Sequence, residues 1–196
     1  MNLAKADLLS EAADEIRKCQ KCLLWKSRLN PVPGEGKIDS KVMLIGEAPG
    51  FHEDQQGRPF VGAAGKFLDE LLAQADLSRE EAYITNIVKC RPPKNREPVP
   101  DEIKACTPFL DRQIECISPK VTITLGSHAA ACVLPKYGVH FEGITKIHGI
   151  FYEISTSVTK IIVPMFHPAS ALYNPAYKEA LMKDFKSLKF RLKELL

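Results

Sequence analysis

The sequence predicts an α/β protein with a mainly parallel central sheet that is covered by helices on both faces. Short apolar runs alternate along the chain with longer stretches whose apolar residues recur at helical spacing, which favours strands joined by crossover helices. Several of the apolar runs stop at Gly or Pro, as a buried strand does where it leaves a sheet. With 196 residues, 45% hydrophobic and 26% charged, the chain has the size and composition of one globular domain over residues 1–196.

The same patterns give the order of the elements. Five strands are predicted at residues 42–45, 83–88, 121–125, 150–154 and 161–165, and the last two are placed to form a hairpin. Helices are predicted at residues 3–18, 64–75, 101–117 and 175–195, with a short helix that follows Gly126-Ser127-His128 and ends at Leu134. Pro100 suits the first turn of the helix at 101–117, where its missing N–H has no partner to lose.

Residues 42–68 organise the rest of the chain. A buried strand runs into Gly46-Glu47-Ala48-Pro49-Gly50, a long polar loop follows, and a helix begins near residue 64. Two other strands also end in polar clusters, one after Asn86 and one at Phe166-His167-Pro168-Ala169-Ser170. Because parallel strands present their carboxyl ends on the same side of a sheet, these clusters are expected to converge on one ligand site.

Composition argues against a membrane-spanning or secreted protein. No apolar run approaches the roughly 18 residues of a membrane span, and the amino-terminal segment carries acids and a helical pattern where a signal peptide would be apolar. We therefore expect a cytoplasmic protein. The net charge is +3, and residues 178–196 hold six basic and three acidic side chains. Such a run is more often a solvated helix face than a surface for polyanions, and charge alone leaves both interpretations open.

The six cysteines favour metal or redox chemistry over a disulfide framework in a cytosolic chain. Four of them form a candidate four-sulfur site: Cys19, Cys22, Cys90 and Cys106. The first two have the C-x₂-C spacing with which two thiolates reach one metal centre, and Zn²⁺ and a [4Fe–4S] cluster both accept four cysteines. Unrelated buried thiols are the weaker alternative. Cys116 and Cys132 lie in helical stretches and are expected to be core residues.

The ordered motifs GEAPG-x₂-ED-x₂-GRPFVG-x-AG, TNIVKCRPP-x-NREP and FHPA, together with the four cysteines, resemble those of the family 4 uracil-DNA glycosylases. The resemblance covers residues 19 to about 175. It implies a three-layer α/β/α sandwich, a [4Fe–4S] cluster, and hydrolytic excision of uracil from DNA without strand cleavage. A non-catalytic iron–sulfur or zinc protein that binds nucleic acid, and a glycosylase for other deaminated bases, remain the alternatives.

The amide of Asn86 suits the recognition of uracil. A base in duplex DNA has to be flipped out of the helix before its glycosidic bond can be reached. Uracil presents N3–H as a donor and O4 as an acceptor, and one amide side chain can bond both. Cytosine has the reverse pattern, so the same amide rejects it. Without the resemblance, the better explanation of Asn86 is a strand-end residue that bonds a turn.

Further roles follow from the resemblance alone. Phe60 is expected to stack on the uracil ring, and Glu53 to sit near C5 and exclude the methyl group of thymine. Backbone groups of Glu47 and Ala48 are expected to hold the O2 edge. His167 is expected to hydrogen-bond O2 as negative charge develops on the leaving base, which is the largest catalytic contribution we anticipate.

The attacking water is expected to receive little help from a general base. Stronger members of the superfamily carry Asp or Asn where this chain has Ala48, so only Glu47 or Asp54 is available to assist through hydrogen bonds. A dissociative cleavage, in which the leaving base departs early, needs little from the nucleophile.

The last expectations concern the contacts with DNA and the form of the substrate. Leu172 matches the residue that fills the space left by the flipped base, as apolar wedges do, and Tyr173 departs from the Arg often found in relatives. Residues 92–98 lack the His-containing insertion of proteins that trap the sugar covalently, so no such trapping is expected. We expect a monomer that acts on uracil-containing DNA, single- or double-stranded.

Overall fold

The computed structural model describes residues 2–195, and its elements follow the predicted order. The strands are β1 (Val42–Gly46), β2 (Ala82–Asn86), β3 (Val121–Leu125), β4 (Tyr152–Glu153) and β5 (Ile161–Met165). The α-helices of this part of the chain are α1 (Asn2–Lys18), α2 (Phe51–Gln56), α3 (Ala63–Gln74), α4 (Pro100–Ile117), α5 (Ser127–Val133), α6 (Ile144–Ile147), α7 (Pro168–Ala171) and α8 (Pro175–Leu195). Among residues 2–195, no helix is both long and apolar enough to cross a membrane.

The sheet is mainly parallel, as predicted. Its strand order is β2-β1-β3-β5-β4, and only β4 runs antiparallel to its neighbour. The register pairs Gly46 of β1 with Asn86 of β2, so both strands end at the same level of the sheet. Because β1 lies between β2 and β3, the direction of strand addition reverses beside it. A crevice forms at such a point beyond the carboxyl ends of the strands.

Each face of the sheet is buried by its own layer of helices, which confirms the α/β/α sandwich. Side chains alternate along β1, so that Val42 and Leu44 face the layer of α3 and α8, whereas Met43 and Ile45 face the layer of α1, α4 and α5. Large buried side chains of these two layers include Leu68, Phe185, Ile16 and Phe109.

Several elements differ from the prediction. The short helices α6 and α7 were not predicted, and the strand predicted at 83–88 ends at Asn86. Residues 46–62 were expected to be a continuous loop but contain α2, whose sequence FHEDQQ lacks the apolar spacing of a packed helix. Asp54 anchors this helix, since its buried carboxylate accepts hydrogen bonds from the N–H groups of Leu29 (2.9 Å) and Asn30 (3.3 Å). The strand expected at 150–154 shortens to Tyr152–Glu153, although its predicted hairpin with β5 is confirmed.

Candidate active site

A cavity of about 310 Å³ opens beyond the carboxyl ends of β1, β2 and β5. It is formed by the turn after β1 and the segment that follows it, by the segment after β2, and by the junction of β5 with α7. The predicted site residues that line it are Glu47, Ala48, Glu53, Phe60, Asn86 and His167. The three polar clusters thus converge on one cavity, as their places in the sequence predicted.

Asn86 presents an unused acceptor to this cavity. Asn86 is 1% exposed, and its Oδ1 has no hydrogen-bond partner among the described residues. A buried amide oxygen without a partner is costly, so it indicates a position kept for a ligand. Gly46 makes room for it, because a Cβ at that position would overlap Asn86 Oδ1 and lie 2.6 Å from the ring of Phe60.

Phe60 is held in an uncommon backbone conformation. Its φ is 51°, a value that non-glycine residues seldom adopt. Arg79 holds the turn, since its Nη1 donates to the Phe60 carbonyl oxygen at 3.0 Å and its Nη2 donates to the Pro59 carbonyl oxygen. Gly65 lets the start of α3 approach, because a Cβ there would overlap the Phe60 carbonyl group. The turn thereby fixes the Phe60 ring at one wall of the cavity.

His167 is fixed in one neutral tautomer. It caps α7, and the N–H of Ala169 donates to its Nδ1 at 3.1 Å. The proton of the neutral ring therefore lies on Nε2. Burial lowers the pKa of His167 from 6.5 to about 4, an effect that the negative charge of Glu53 partly opposes. The ring lies 5.7 Å from that of Phe60 at an angle of 28°, so a neutral donor faces the cavity beside an aromatic wall.

The carboxylate of Glu53 is hydrogen-bonded to backbone N–H groups. It accepts hydrogen bonds from the N–H groups of Gly50 (3.1 Å), Val61 (2.8 Å) and Gly62 (2.9 Å). These bonds join the two ends of the segment that holds Phe60. Asp54, named above as a possible aid to water activation, is turned toward Leu29 and does not line the cavity. That interpretation of Asp54 is wrong, because its oxygens hold α2 in place.

Glu47 has a partner that the sequence analysis missed. Its Oε2 lies 2.9 Å from Nδ1 of His128, the second residue of α5. Nε2 of the same ring lies 3.5 Å from Oε2 of Glu97, in the segment after β2. His128 therefore connects two of the segments that form the cavity. It also orients Glu47, the acidic residue of the cavity whose carboxylate oxygens are not bound to the backbone.

Comparison with known proteins identifies the family. A model of the uracil DNA glycosylase superfamily matches residues 33–189, most of the chain. The chain belongs to the uracil DNA glycosylase superfamily. It is similar to the type-4 uracil-DNA glycosylase of Saccharolobus solfataricus, with 52% identity over 93% of this chain and 86% of that protein. For the type-4 enzymes of Sulfurisphaera tokodaii and Archaeoglobus fulgidus the identities are 49% and 43%, over 93% and 92% of this chain and 84% and 91% of theirs.

Within this superfamily fold, two more polar residues of the segment after β2 line the cavity. Asn95 has a positive φ of 56°, and its Oδ1 accepts a hydrogen bond from Nε of Arg91 at 2.6 Å. Arg96 forms a bidentate pair with Glu102 at 2.6 and 2.9 Å. The sequence signal for both was the NREP motif, which supported the family resemblance but assigned these residues no role.

The four predicted ligand cysteines line one small cavity between α1, α4 and the end of β2. N–H donors reach three of the sulfurs, from Arg28 Nη1 to Cys90 (2.9 Å), Lys89 N to Cys106 (3.2 Å) and Lys21 N to Cys19 (3.5 Å). Such donors stabilise thiolates, and the apolar walls provided by Ile16, Trp25 and Phe109 shield them. Across residues 2–195, no three His, Cys, Asp or Glu side chains are placed to hold a single metal ion. The donor set and its surroundings nevertheless fit a group held by four thiolates.

Four other residues from the sequence analysis lie apart from both cavities. Leu172 and Tyr173 follow α7 at the surface, where they are 44% and 89% exposed. Cys116 and Cys132 are only partly buried, and the thiol of Cys116 donates to the Lys5 carbonyl oxygen at 3.1 Å. The prediction that both cysteines are core residues is therefore correct only in part, since Cys132 packs against the core without being enclosed.

Proposed function

We propose that this protein flips uracil out of DNA and hydrolyses its N-glycosidic bond, leaving an abasic site in an intact strand. The observation that carries this proposal is the unpartnered Oδ1 of Asn86, buried in a cavity that is also lined by the Phe60 ring and the neutral imidazole of His167. The names of the related type-4 enzymes support the same activity.

Recognition rests on Asn86 and Phe60. The Asn86 amide accepts a hydrogen bond from uracil N3–H and donates one to O4, while the Phe60 ring stacks on the base. Cytosine offers an acceptor at N3 and a donor at position 4, so each contact with the amide becomes a clash of like groups. A site built on such a buried pair discriminates strongly, because the wrong base leaves its groups unpaired. Glu53, which closes the same wall, excludes the C5 methyl group of thymine.

Bond cleavage is assigned chiefly to stabilisation of the leaving base. As the bond between C1′ and N1 breaks, negative charge develops on the uracil ring and its O2. The Nε2–H of His167 donates to that oxygen, and backbone groups at Glu47 and Ala48 hold the same edge. A neutral donor fixed in advance by Ala169 needs no rearrangement as the charge forms, which is where preorganised dipoles gain most.

Glu47 is assigned to the water. Ala48 has no group that can hold it, whereas the Glu47 carboxylate lines the cavity and is oriented by His128. Through a hydrogen bond it positions the water that adds to C1′ of the oxocarbenium-like sugar. On the DNA side, exposed Leu172 fills the gap that the flipped base leaves in the duplex.

The absence of lyase chemistry is supported by the position of Lys89. Its Nζ is fully buried and bonds Thr85 Oγ1, the Asn86 carbonyl oxygen and Gln113 Oε1, each at 2.7 Å. An amine held in this way cannot reach the sugar to form a Schiff base. Among residues 5–195, no lysine lines the candidate active site.

The activity is tested with single-stranded and duplex oligonucleotides that contain one uracil. We expect strand breaks only after alkali, since the enzyme itself leaves the backbone intact. An Asn86→Ala variant purified in parallel should lose about 1,000-fold or more in kcat/KM, which also excludes a contaminating glycosylase. If neither substrate shows alkali-dependent breaks with the wild-type protein, the proposal is wrong.

We further infer that Cys19, Cys22, Cys90 and Cys106 hold a [4Fe–4S] cluster with a structural role. These residues would tie the amino-terminal segment to α4 through the bound cluster, whose role would be structural and not hydrolytic. We expect absorbance at about 400 nm and about four irons per chain. Cys90→Ser should lose both signals and Cys116→Ser should keep them. Zinc in place of iron would contradict the inference.

A further inference from the structure

An exposed aromatic ring and a guanidinium form a small platform at the rim of the active-site cavity. Phe51 is 49% exposed although it is a large apolar residue. The Cζ of Arg91 lies 5.1 Å from the centre of its ring, within the range of a cation–π contact. His52 meets the same ring edge-on, at 5.4 Å and 81°. One part of the Phe51 ring is therefore supported by protein while the rest faces solvent.

The platform lies within one nucleotide of the base pocket. Phe51 follows Gly50, which lines the cavity, and consecutive Cα atoms are about 3.8 Å apart. Arg91 precedes Pro92, another lining residue, and bonds Asn95, a third. A nucleotide next to a uracil in the cavity is therefore within reach of the exposed ring.

The chemistry of the pair suits a nucleotide. A nucleobase stacks well on an aromatic side chain whatever its identity, and a neighbouring guanidinium attracts the phosphate that accompanies it. Packing alone does not account for Phe51, because its ring belongs to neither core layer and half of it remains exposed.

We propose that Phe51, backed by Arg91, is a stacking site for the base adjacent to the flipped uracil. This inference rests on the proposed function, since it takes uracil in the cavity as the reference point. It assigns to the turn after β1 a second task, which is to hold the neighbouring nucleotide while Asn86 reads the uracil. In single-stranded DNA, where no opposing strand orders that base, the platform supplies the order.

The test removes either the Phe51 ring or the base that would stack on it. The protein variant is Phe51→Leu, which keeps apolar bulk and loses the aromatic face. The substrates are single-stranded oligonucleotides with one uracil, whose 5′ or 3′ neighbour is either a normal base or a tetrahydrofuran spacer that has no base. Phe190→Leu, at a 64% exposed phenylalanine of α8, is the matched control.

With the wild-type protein, the spacer should raise KM about tenfold on one side of the uracil, within the range for one base on one aromatic side chain. Phe51→Leu should raise KM for the normal substrate by a similar factor. In this variant the spacer should not raise KM further, because the same stacking contact is lost in either case. Phe190→Leu should behave as the wild type. Phe51→Tyr, which keeps the ring, should restore the effect of the spacer.

Two outcomes would overturn the inference. If spacers on both sides leave the wild-type KM unchanged, no neighbouring base is held. If Phe51→Leu weakens binding equally with and without the spacer, Phe51 acts only by supporting the turn. Failure of the proposed function looks different, because the wild-type protein would then release no uracil from any of these oligonucleotides.

Discussion

His167 illustrates how a single backbone hydrogen bond sets the chemistry of a residue. Because the Ala169 N–H donates to Nδ1, the ring cannot bind a proton there without losing that bond, and burial also disfavours the charged form. The pKa of about 4 keeps the ring neutral wherever the protein is folded near neutral pH. In the proposed mechanism the residue is therefore a fixed hydrogen-bond donor to the leaving base and does not need to take up a proton.

The pH dependence of kcat tests this. In the wild-type protein, any fall in kcat due to protonation of His167 should occur at about pH 4 and not near 6.5. The free energy of unfolding also falls as the pH drops from 6.5 toward 4, because in that range only the unfolded chain takes up the proton. Above pH 6.5 this effect of His167 on stability is absent. A fall in kcat centred near pH 6.5 that disappears in His167→Gln would contradict the assignment.

His128 gives a second prediction at the level of single residues. Replacing it by Ala removes the partner of Glu47, and we expect kcat to fall about tenfold through loss of orientation. In a Glu47→Gln background the same replacement should have little further effect, since the two residues act as one unit. Equal effects of His128→Ala in both backgrounds would show that His128 acts elsewhere.

Sequence position predicted some of these residues and not others. Asn86 and His167 end parallel strands, so a sheet rule alone placed them together. His128 also follows a strand, but its partner lies 81 residues away, and nothing local in the sequence marks that contact. The tautomer of His167 depends on one backbone N–H, which a residue pattern does not reveal.

At the scale of elements, Phe60 is held in place by contacts between the segment that joins β1 to α3 and the start of α3. Glu53 ties the turn to Val61 and Gly62 through its carboxylate, and Gly65 lets α3 begin directly behind the Phe60 carbonyl. The helix α2 within this turn was missed because its anchor is the buried carboxylate of Asp54. An acid in a polar stretch looks like a surface residue when only the sequence is read.

Gly65→Ala tests the role of this contact. The new Cβ overlaps the Phe60 carbonyl group, so the turn has to move away from α3 and the aromatic wall shifts. We expect kcat/KM for uracil excision to fall about 100-fold, as a displacement of about 1 Å in a site can cause. Ala73→Ser, at an exposed position of the same helix, is the control and should match the wild type in the same kinetic assay. Unchanged kinetics in Gly65→Ala would show that Phe60 tolerates the shift.

For the molecule as a whole, the end of β2 and the segment after it contribute residues to both cavities. The active site takes Asn86 from the end of β2, and the cysteine cavity takes Cys90 four residues later. Arg28 adds a further link, since its two amino groups bond the Cys90 sulfur at 2.9 Å and the carbonyl oxygen of Arg17 at 3.0 Å. The mainly parallel sheet and the order of the elements along the chain were predictable from alternating patterns, whereas the preference for iron over zinc rests on the family resemblance.

The carboxy-terminal helix is better explained as a solvated face than as a surface for polyanions. Several of its basic side chains already pair with acids, as Lys189 does with Asp76 (3.0 Å) and Arg191 with Glu153 (2.7 Å). Surface pairs of this kind contribute little to stability, but they reduce the local positive charge.

Loss of the proposed cluster should loosen one end of the molecule and leave the sheet folded. In Cys22→Ser we expect a lower Tm and faster amide hydrogen exchange in α1, because the linkage of this helix to Cys90 and Cys106 is weakened. Cys132→Ser should leave both measurements close to wild type. Equal exchange in α1 for the two variants would argue against a structural role of the four cysteines.

The most direct test of the central claim is the mass of the reaction products in water enriched in ¹⁸O. With a single-uracil oligonucleotide, we expect one free uracil for each abasic site, one ¹⁸O atom at C1′ in product analysed before the sugar exchanges with solvent, and an unbroken strand. Release of no uracil, or release coupled to cleavage of the backbone, would show that the protein is not a monofunctional uracil-DNA glycosylase.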